Sequence, residues 1–316
     1  MKILLASSSN VSFEIFNSLI SLSKTKNDDS KIEIAGFLTN SDQPTGRGQK
    51  SVSNEFAEWA IQFDLPIYKI SKSSDITAAL NSEGADLVIT VAFGKLVSKD
   101  NLDIPKFGWL NVHFSLLPKY RGAAPVQHAI LNGERETGVS IFKLDEGLDT
   151  GPIFAQLKYE IPRMATTKLV LQELARLSIK PLVSTISAIS KGDTGKAQSE
   201  LGNQISTAPK INKSDGHLIF DQPISNIRNR FLALCDNPGV YATVNGTRIK
   251  FESLEFEQVL VGNSQIAQIQ NKNSEMQIVA RDGIVTVKQL RPEGKSSMTG
   301  AEFLRGRPNL IGQIVN

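Results

Sequence analysis

The chain has 316 residues and a mass of 34.5 kDa, more than one compact domain usually holds, so two domains are expected, each large enough for its own core. Hydrophobic residues make up 40% and charged residues 21%, an ordinary globular balance, and no run of about eighteen apolar residues offers a membrane span. The single cysteine, Cys235, excludes an internal disulfide, the three histidines have no cysteine partners at zinc spacing so no metal site is read, and a net charge of +3 does not demand a polyanionic partner.

The opening MKILLASSSN reads as a short strand, too short and too soon polar for a signal peptide. Apolar runs at Lys2 to Ala6, Ile32 to Leu38, Leu65 to Ile70, Asp86 to Val91 and Trp109 to Val112 predict strands. Amphipathic stretches at Val11 to Ser23, Val52 to Gln62 and Asp75 to Asn81 predict the helices between them. Strands spaced by helices imply parallel crossovers, hence an α/β fold with a doubly wound, mainly parallel sheet. Ligands of such sheets sit beyond the carboxyl ends of the strands, where the loops after Val91 and Val112 would meet.

Between the second strand and the next helix lies DQPTGRGQK, Asp42 to Lys50. Its Gly46-Arg47-Gly48 lacks the spacing of a dinucleotide or Walker loop, which argues against a nucleotide cofactor, and on its residues alone the segment is an exposed loop. Farther on, Arg121-Gly122-Ala123-Ala124-Pro125 leads into a helix whose first turn suits Pro125.

Thr166 to Lys191 carries apolar residues mostly on one helical face, with a kink expected at Pro181, and Gly192 to Asn203 is rich in glycine, serine and charge. Beyond it, Val240 to Val244 and Thr247 to Phe251 flank Asn245-Gly246, a strong hairpin signal, and Gln277 to Ala280 and Ile284 to Gln289 flank Arg281-Asp282-Gly283 similarly. Repeated hairpins predict a smaller β-barrel, so the chain divides into a first domain over 1–191, a linker over 192–206 and a second domain over 207–316. From Thr207 onward 13 Lys and Arg stand against 10 Asp and Glu, a local +3 that equals the whole-chain charge and leaves the rest neutral. That asymmetry is a mild pointer to nucleic acid.

Two motifs carry chemistry: NVHFSLLP at Asn111 to Pro118 and DEGLDTG at Asp145 to Gly151. Alternation along the strand sends Asn111 and His113 to one side. An amide donor, an imidazole and a carboxylate at Asp149 are what acyl transfer needs: an oxyanion partner, a proton shuttle, and a group that orients the imidazole and favours its charged form. Taken singly, His113 reads as a structural histidine and Asp149 as a turn residue bonding its own backbone; the combination is what points to catalysis.

The run NVHFSLLPKYRGAAPVQHAILNGERETGVSIFKLDEGLDTGPI resembles the folate-dependent formyltransferases. The likeness extends over nearly the whole chain, through TGRGQK to SMTGAEFL, with specific central motifs and a looser C-terminal part. It implies Asn111, His113 and Asp149 as the catalytic set. It also implies a folate site built from Ser115, Leu116, Leu117 and Pro118 together with the loop of Phe93, Gly94, Lys95, Leu96 and Val97, which would wrap the pterin through backbone groups. The implied formyl donor is 10-formyltetrahydrofolate, with no metal, and the implied acceptor is the α-amino group of methionine carried on initiator tRNA. Arg47 and Lys50 in the glycine-bearing loop, and Lys210 and Lys213 past the linker, are the tRNA-contact candidates, and the second domain is expected to be OB-like. Without a signal peptide or membrane span, a cytoplasmic enzyme of the bacterial cytosol or an organelle matrix is the simplest fit, and a monomer is expected. One departure stands out: Phe114 occupies the place of the family's usual glycine between the histidine and the serine.

Overall fold

Strand β1 (Lys2–Ala6) is apolar on both sides, with Ile3, Leu4, Leu5 and Ala6 fully buried, as a central strand covered on two faces must be. The structure, a computed structural model, describes every residue except 26–31, 46–49, 202–203, 263 and 316. In chain order β1 is followed by α1 (Phe13–Ser23), β2 (Glu33–Asn40), β3 (Gln43–Thr45), β4 (Lys50–Val52), α2 (Glu55–Ala60), β5 (Ile67–Ile70), α3 (Ser73–Glu83), β6 (Leu87–Thr90), α4 (Lys99–Asp103), β7 (Trp109–His113), α5 (Pro125–Leu131), β8 (Glu136–Lys143), β9 (Ile153–Glu160) and α6 (Thr167–Ser190). Two compact units result: Met1–Pro125, Glu136–Glu160 and Leu171–Pro209 form the first, and Val126–Arg135, Ile161–Val170 and Lys210–Asn316 the second. The first unit takes in the stretch that the sequence suggests as a linker.

The first unit is built on a seven-stranded sheet of order β5-β2-β1-β6-β7-β8-β9. From β5 to β7 the neighbours run parallel, while β8 and β9, absent from the sequence expectation, add antiparallel partners at one edge. One face carries an aromatic group, Phe16, Phe37, Phe56, Trp59 and Phe63, with ring centroids 4.6 to 6.4 Å apart. The opposite face packs Leu4, Leu38, Val88 and Trp109 against Ile76, Ala79 and Leu80 of α3 and Leu102 of α4. Each large side chain so buried contributes about 1.5–3 kcal/mol. Covered on both faces, the sheet is doubly wound as expected.

Boundaries move where caps and pairings override periodicity. Helix α3 starts earlier than its apolar spacing indicates because the Asp75 carboxylate accepts from the Ser71 and Lys72 amides, and it stops at Gly84 in the left-handed conformation. Val52 is not helical, because it pairs with Gln43 in the β3–β4 hairpin; α2 begins after Asn54, whose side chain caps Ala57. Helix α6 runs as one element through Pro181, from Thr167 to Ser190.

In the second unit, α7 (Ile224–Leu234) precedes β10 (Val240–Val244), β11 (Thr247–Gln258), β12 (Ile269–Lys272), β13 (Glu275–Val279), β14 (Gly283–Pro292), β15 (Met298–Thr299) and α8 (Gly300–Arg305). The strands form an antiparallel sheet of order β10-β11-β14-β13-β12, with β15 joined to β14. Asn245 and Gly246 both take positive φ, as a tight two-residue hairpin requires. A second such hairpin joins β12 to β13 through Asn273 and Ser274, also both at positive φ.

Candidate active site

Strand β7 runs two residues past the end of β6, whose last residue, Thr90, stands opposite Asn111. The Thr90 hydroxyl donates to Asn111 Oδ1 at 2.7 Å, so the amide is turned with its carbonyl toward the sheet, and its Nδ2 hydrogens are what Asn111 has left to offer. Two residues on, His113 projects from the same face of the strand and is 5% exposed. Its Nε2 lies 2.9 Å from the Tyr120 carbonyl oxygen, which can only accept, so Nε2 carries a hydrogen. Phe142 meets the ring edge-on.

The other ring nitrogen, Nδ1, faces Asp149 Oδ2 at 3.7 Å. Burial pushes the imidazole below its ordinary pKa near 6.5, against the opposing pull of the Asp149 charge and the Tyr120 carbonyl. A neutral His113 with hydrogen on Nε2 has its Nδ1 lone pair turned to the carboxylate side. Any proton reaching Nδ1 is then stabilised by Asp149, so the pair is set to take up a proton transiently.

Asp149 is held from several directions. Its φ of 53° is left-handed, a conformation that costs a non-glycine residue about 1–2 kcal/mol unless neighbours impose it. The Gly122 amide donates to Oδ2 at 2.7 Å, and Gln198 Nε2 donates to the Asp149 and Gly151 carbonyls at 2.8 and 2.9 Å. Gly151 is required sterically: a Cβ there would run into the Lys143 carbonyl oxygen. Upstream, the Asp145 carboxylate accepts from the Gly147 amide and the Thr150 hydroxyl, closing the turn.

The folate-contact candidates divide by burial. Ser115 and Leu117 are fully buried: the Ser115 hydroxyl donates to the Lys119 carbonyl at 2.6 Å, and the Leu117 amide donates to Ser140 Oγ at 3.0 Å. Pro118 is buried after a cis peptide bond, and Leu116 is half-buried. Ser115 is thus occupied in shaping its own loop. After β6, Phe93 packs toward Trp109, Gly94 takes positive φ, Lys95 and Val97 are half-buried and Leu96 is 91% exposed. This loop leaves an apolar side chain in solvent beside the strand ends. Phe114 is buried at 6% exposure. A cleft of about 690 Å³ lies along the loops that carry the candidate residues, bordered by Pro118, Arg121, Thr150, Gly151 and Gln198.

Of the tRNA-contact candidates, Arg47 lies outside the described residues, and Lys50 is described only as a backbone position of β4. Lys210 and Lys213 are exposed in the second unit. Thr90, Tyr120 and Gln198 were missed from the sequence, and Gly122 reads there as structural only. Thr90 could have been inferred from its place at the end of the strand beside β7, whereas the other three act through backbone groups or from a segment that reads as linker. Among the described residues, no group of three His, Cys, Asp or Glu is placed to hold a metal, and no helix is long and apolar enough to cross a membrane.

Comparison with known proteins gives this geometry a context. Residues 1–186 match the family described as formyl transferase, and residues 210–308 match its C-terminal domain. The chain is 35% identical over 273 residues to the methionyl-tRNA formyltransferase of Thermodesulfovibrio yellowstonii, covering 85% of this chain and 87% of that one. It is 34% identical over 303 residues to the methionyl-tRNA formyltransferase of Corynebacterium urealyticum, covering 90% of each. Among solved structures, HypX from Aquifex aeolicus in complex with tetrahydrofolic acid superposes with a TM-score of 0.63 at 17% identity. That match takes in 96% of this chain and 47% of HypX, about half the longer protein's length, and shows a shared fold.

Proposed function

This chain belongs to the formyl transferase family, and on that premise we propose that it transfers the formyl group of 10-formyltetrahydrofolate to the α-amino group of methionyl-initiator tRNA, giving N-formylmethionyl-tRNA for translation initiation. The observation that carries the reading is the buried His113, with Asp149 on its Nδ1 side and Asn111 two residues behind it on the same strand face.

The amine attacks the formyl carbon and a C–N bond forms. The carbonyl oxygen becomes an oxyanion, which Asn111 Nδ2–H is positioned to stabilise. The proton shed by the attacking nitrogen passes to Nδ1 of neutral His113, where Asp149 offsets the new charge. The intermediate collapses by breaking the bond to folate N10, and the imidazolium returns the proton to that nitrogen. Atoms balance without a covalent enzyme intermediate or a metal.

In the same reading Phe93 to Val97 and Ser115 to Pro118 surround the folate, largely through backbone groups, since Ser115 and Leu117 are buried. Arg47, Lys50, Lys210 and Lys213 contact tRNA phosphates, with residues 1–191 catalytic, 192–206 a linker and 207–316 the docking domain. A tRNA substrate puts the enzyme in the bacterial cytosol or an organelle matrix. It acts as a monomer, which sedimentation of the purified protein tests.

The deciding experiment offers the full chain 10-formyltetrahydrofolate with either methionyl-initiator tRNA or a 4-amino sugar nucleotide. Saturable formylation of the charged tRNA is expected. Transfer to the sugar alone would sink the acceptor assignment, and transfer to neither would sink the enzyme reading.

A further inference from the structure

Gln198 stands in a segment whose composition suggests a linker, yet its side chain is 6% exposed and fully engaged in hydrogen bonds. Its Nε2 donates to the carbonyl of Asp149 at 2.8 Å and to that of Gly151 at 2.9 Å. Its Oε1 accepts from Arg121 Nε at 3.1 Å and from Arg121 Nη2 at 2.6 Å. Arg121 neighbours Gly122, whose amide holds the Asp149 carboxylate. One amide group therefore ties the backbone of the catalytic carboxylate to the segment that grips its side chain. Both donors and the acceptor are used, and no ionisable group of Gln198 complicates the field around His113.

We propose that Gln198 is a positioning residue for formyl transfer, fixing Asp149 in its left-handed backbone conformation so that its carboxylate stays on the Nδ1 side of His113. The inference rests on the assignment of Asp149 to the reaction. It adds a residue that touches neither substrate and acts through the loop it clamps. Only an amide of this length meets the demand: two carbonyl oxygens need donors, and the guanidinium needs an acceptor. Asparagine is too short to span the three partners, glutamate offers no donor, and leucine offers neither.

The test uses Gln198→Met in the full chain, a neutral replacement of similar length with no N–H donor. Since displacements of the order of 1 Å can cost about 100-fold in rate, kcat is expected to fall roughly 10- to 100-fold while KM for 10-formyltetrahydrofolate changes less than about twofold. The acid limb of the kcat/KM profile should move to lower pH, because Asp149 is the charge that opposes burial at His113 and a displaced Asp149 opposes it less. A merely structural role would not move that limb. Wild-type kcat in the folded variant, or a lower kcat with an unmoved limb, would overturn the proposal. Gln198→Glu, which keeps the acceptor for Arg121 and loses both donors, should also lose kcat; if it turns over like wild type, the clamp on the carbonyls is irrelevant. Loss of folded protein in both variants would assign Gln198 to fold stability and equally overturn the idea. Wild-type enzyme runs beside them: its failure to formylate would strike the functional reading instead.

Discussion

At the residue scale, His113 has each ring nitrogen assigned by what lies opposite it. The Tyr120 carbonyl takes the hydrogen of Nε2, and Asp149 waits beside Nδ1. Because burial lowers its pKa, the folded state binds fewer protons than the unfolded chain just below pH 6.5. Stability associated with this group is therefore intact above about pH 6.5 and falls as pH drops toward the folded value, where both states are protonated. Melting temperatures of wild type and His113→Gln, measured from pH 8 to pH 5, should converge or cross as the wild type loses stability that the variant does not. Parallel curves would show that His113 is no more reluctant to protonate when folded. The same shift places the acid limb of kcat/KM below pH 6.5, since the base form is the working one. His113→Ala should lower turnover by roughly two to four orders of magnitude through lost proton transfer and charge stabilisation. Asp149→Asn should reduce turnover more than folate binding; a folded variant of either kind with wild-type turnover would remove its role.

At the element scale, the difference between what the sequence discloses and what it hides is physical. Strand β1 was legible to the residue, because a central parallel strand must be apolar throughout. Strand β7 and the projection of Asn111 and His113 were legible from alternation alone. The β12–β13 hairpin was not, since its turn uses Asn273-Ser274 and lacks the glycine that marks Asn245-Gly246. Strands β8 and β9 escaped because β8 is placed by its antiparallel register with β7 and β9 by its register with β8, which local periodicity does not report. Gln198 escaped for the opposite reason: a polar residue among glycine, serine and charge looks solvated until its partners, 47 to 77 residues away, are known. Asp149 was legible as a residue, but its support depends on the loop's close approach to Lys143. Gly151→Ala tests that approach. The added methyl meets a backbone oxygen that cannot rotate aside, so about 1–3 kcal/mol of stability should be lost, with a displaced Asp149 and a fall in kcat exceeding any rise in KM for folate. Denaturant melts and steady-state kinetics on the one variant check both; unchanged stability and rate would mean that the loop yields freely.

At the scale of the whole molecule, the charge is distributed in a way the active site does not need. Folate and a single amino acid require no second domain, yet the surplus of three positive charges falls beyond Thr207. Lys210 and Lys213 are both exposed at the start of the second unit, and Lys213 opens a short turn whose Asp215 carboxylate is bonded to the Asn212 amide. Exposed ammonium groups placed so are what a phosphate backbone could use. If they touch tRNA, replacing both with glutamate should raise KM for methionyl-tRNA by an order of magnitude or more and reduce the salt slope of binding by roughly 1 for each phosphate no longer neutralised. Folate affinity should stay as it was, because the folate-contact candidates all belong to the first unit and the two lysines to the second. The discriminating measurement is tRNA affinity across a salt series rather than at one concentration, since a folding defect lowers the active fraction at every salt while removal of a phosphate-binding charge changes the slope. A slope equal to that of wild type would leave Lys210 and Lys213 as solvated surface and move the tRNA footprint elsewhere on the chain.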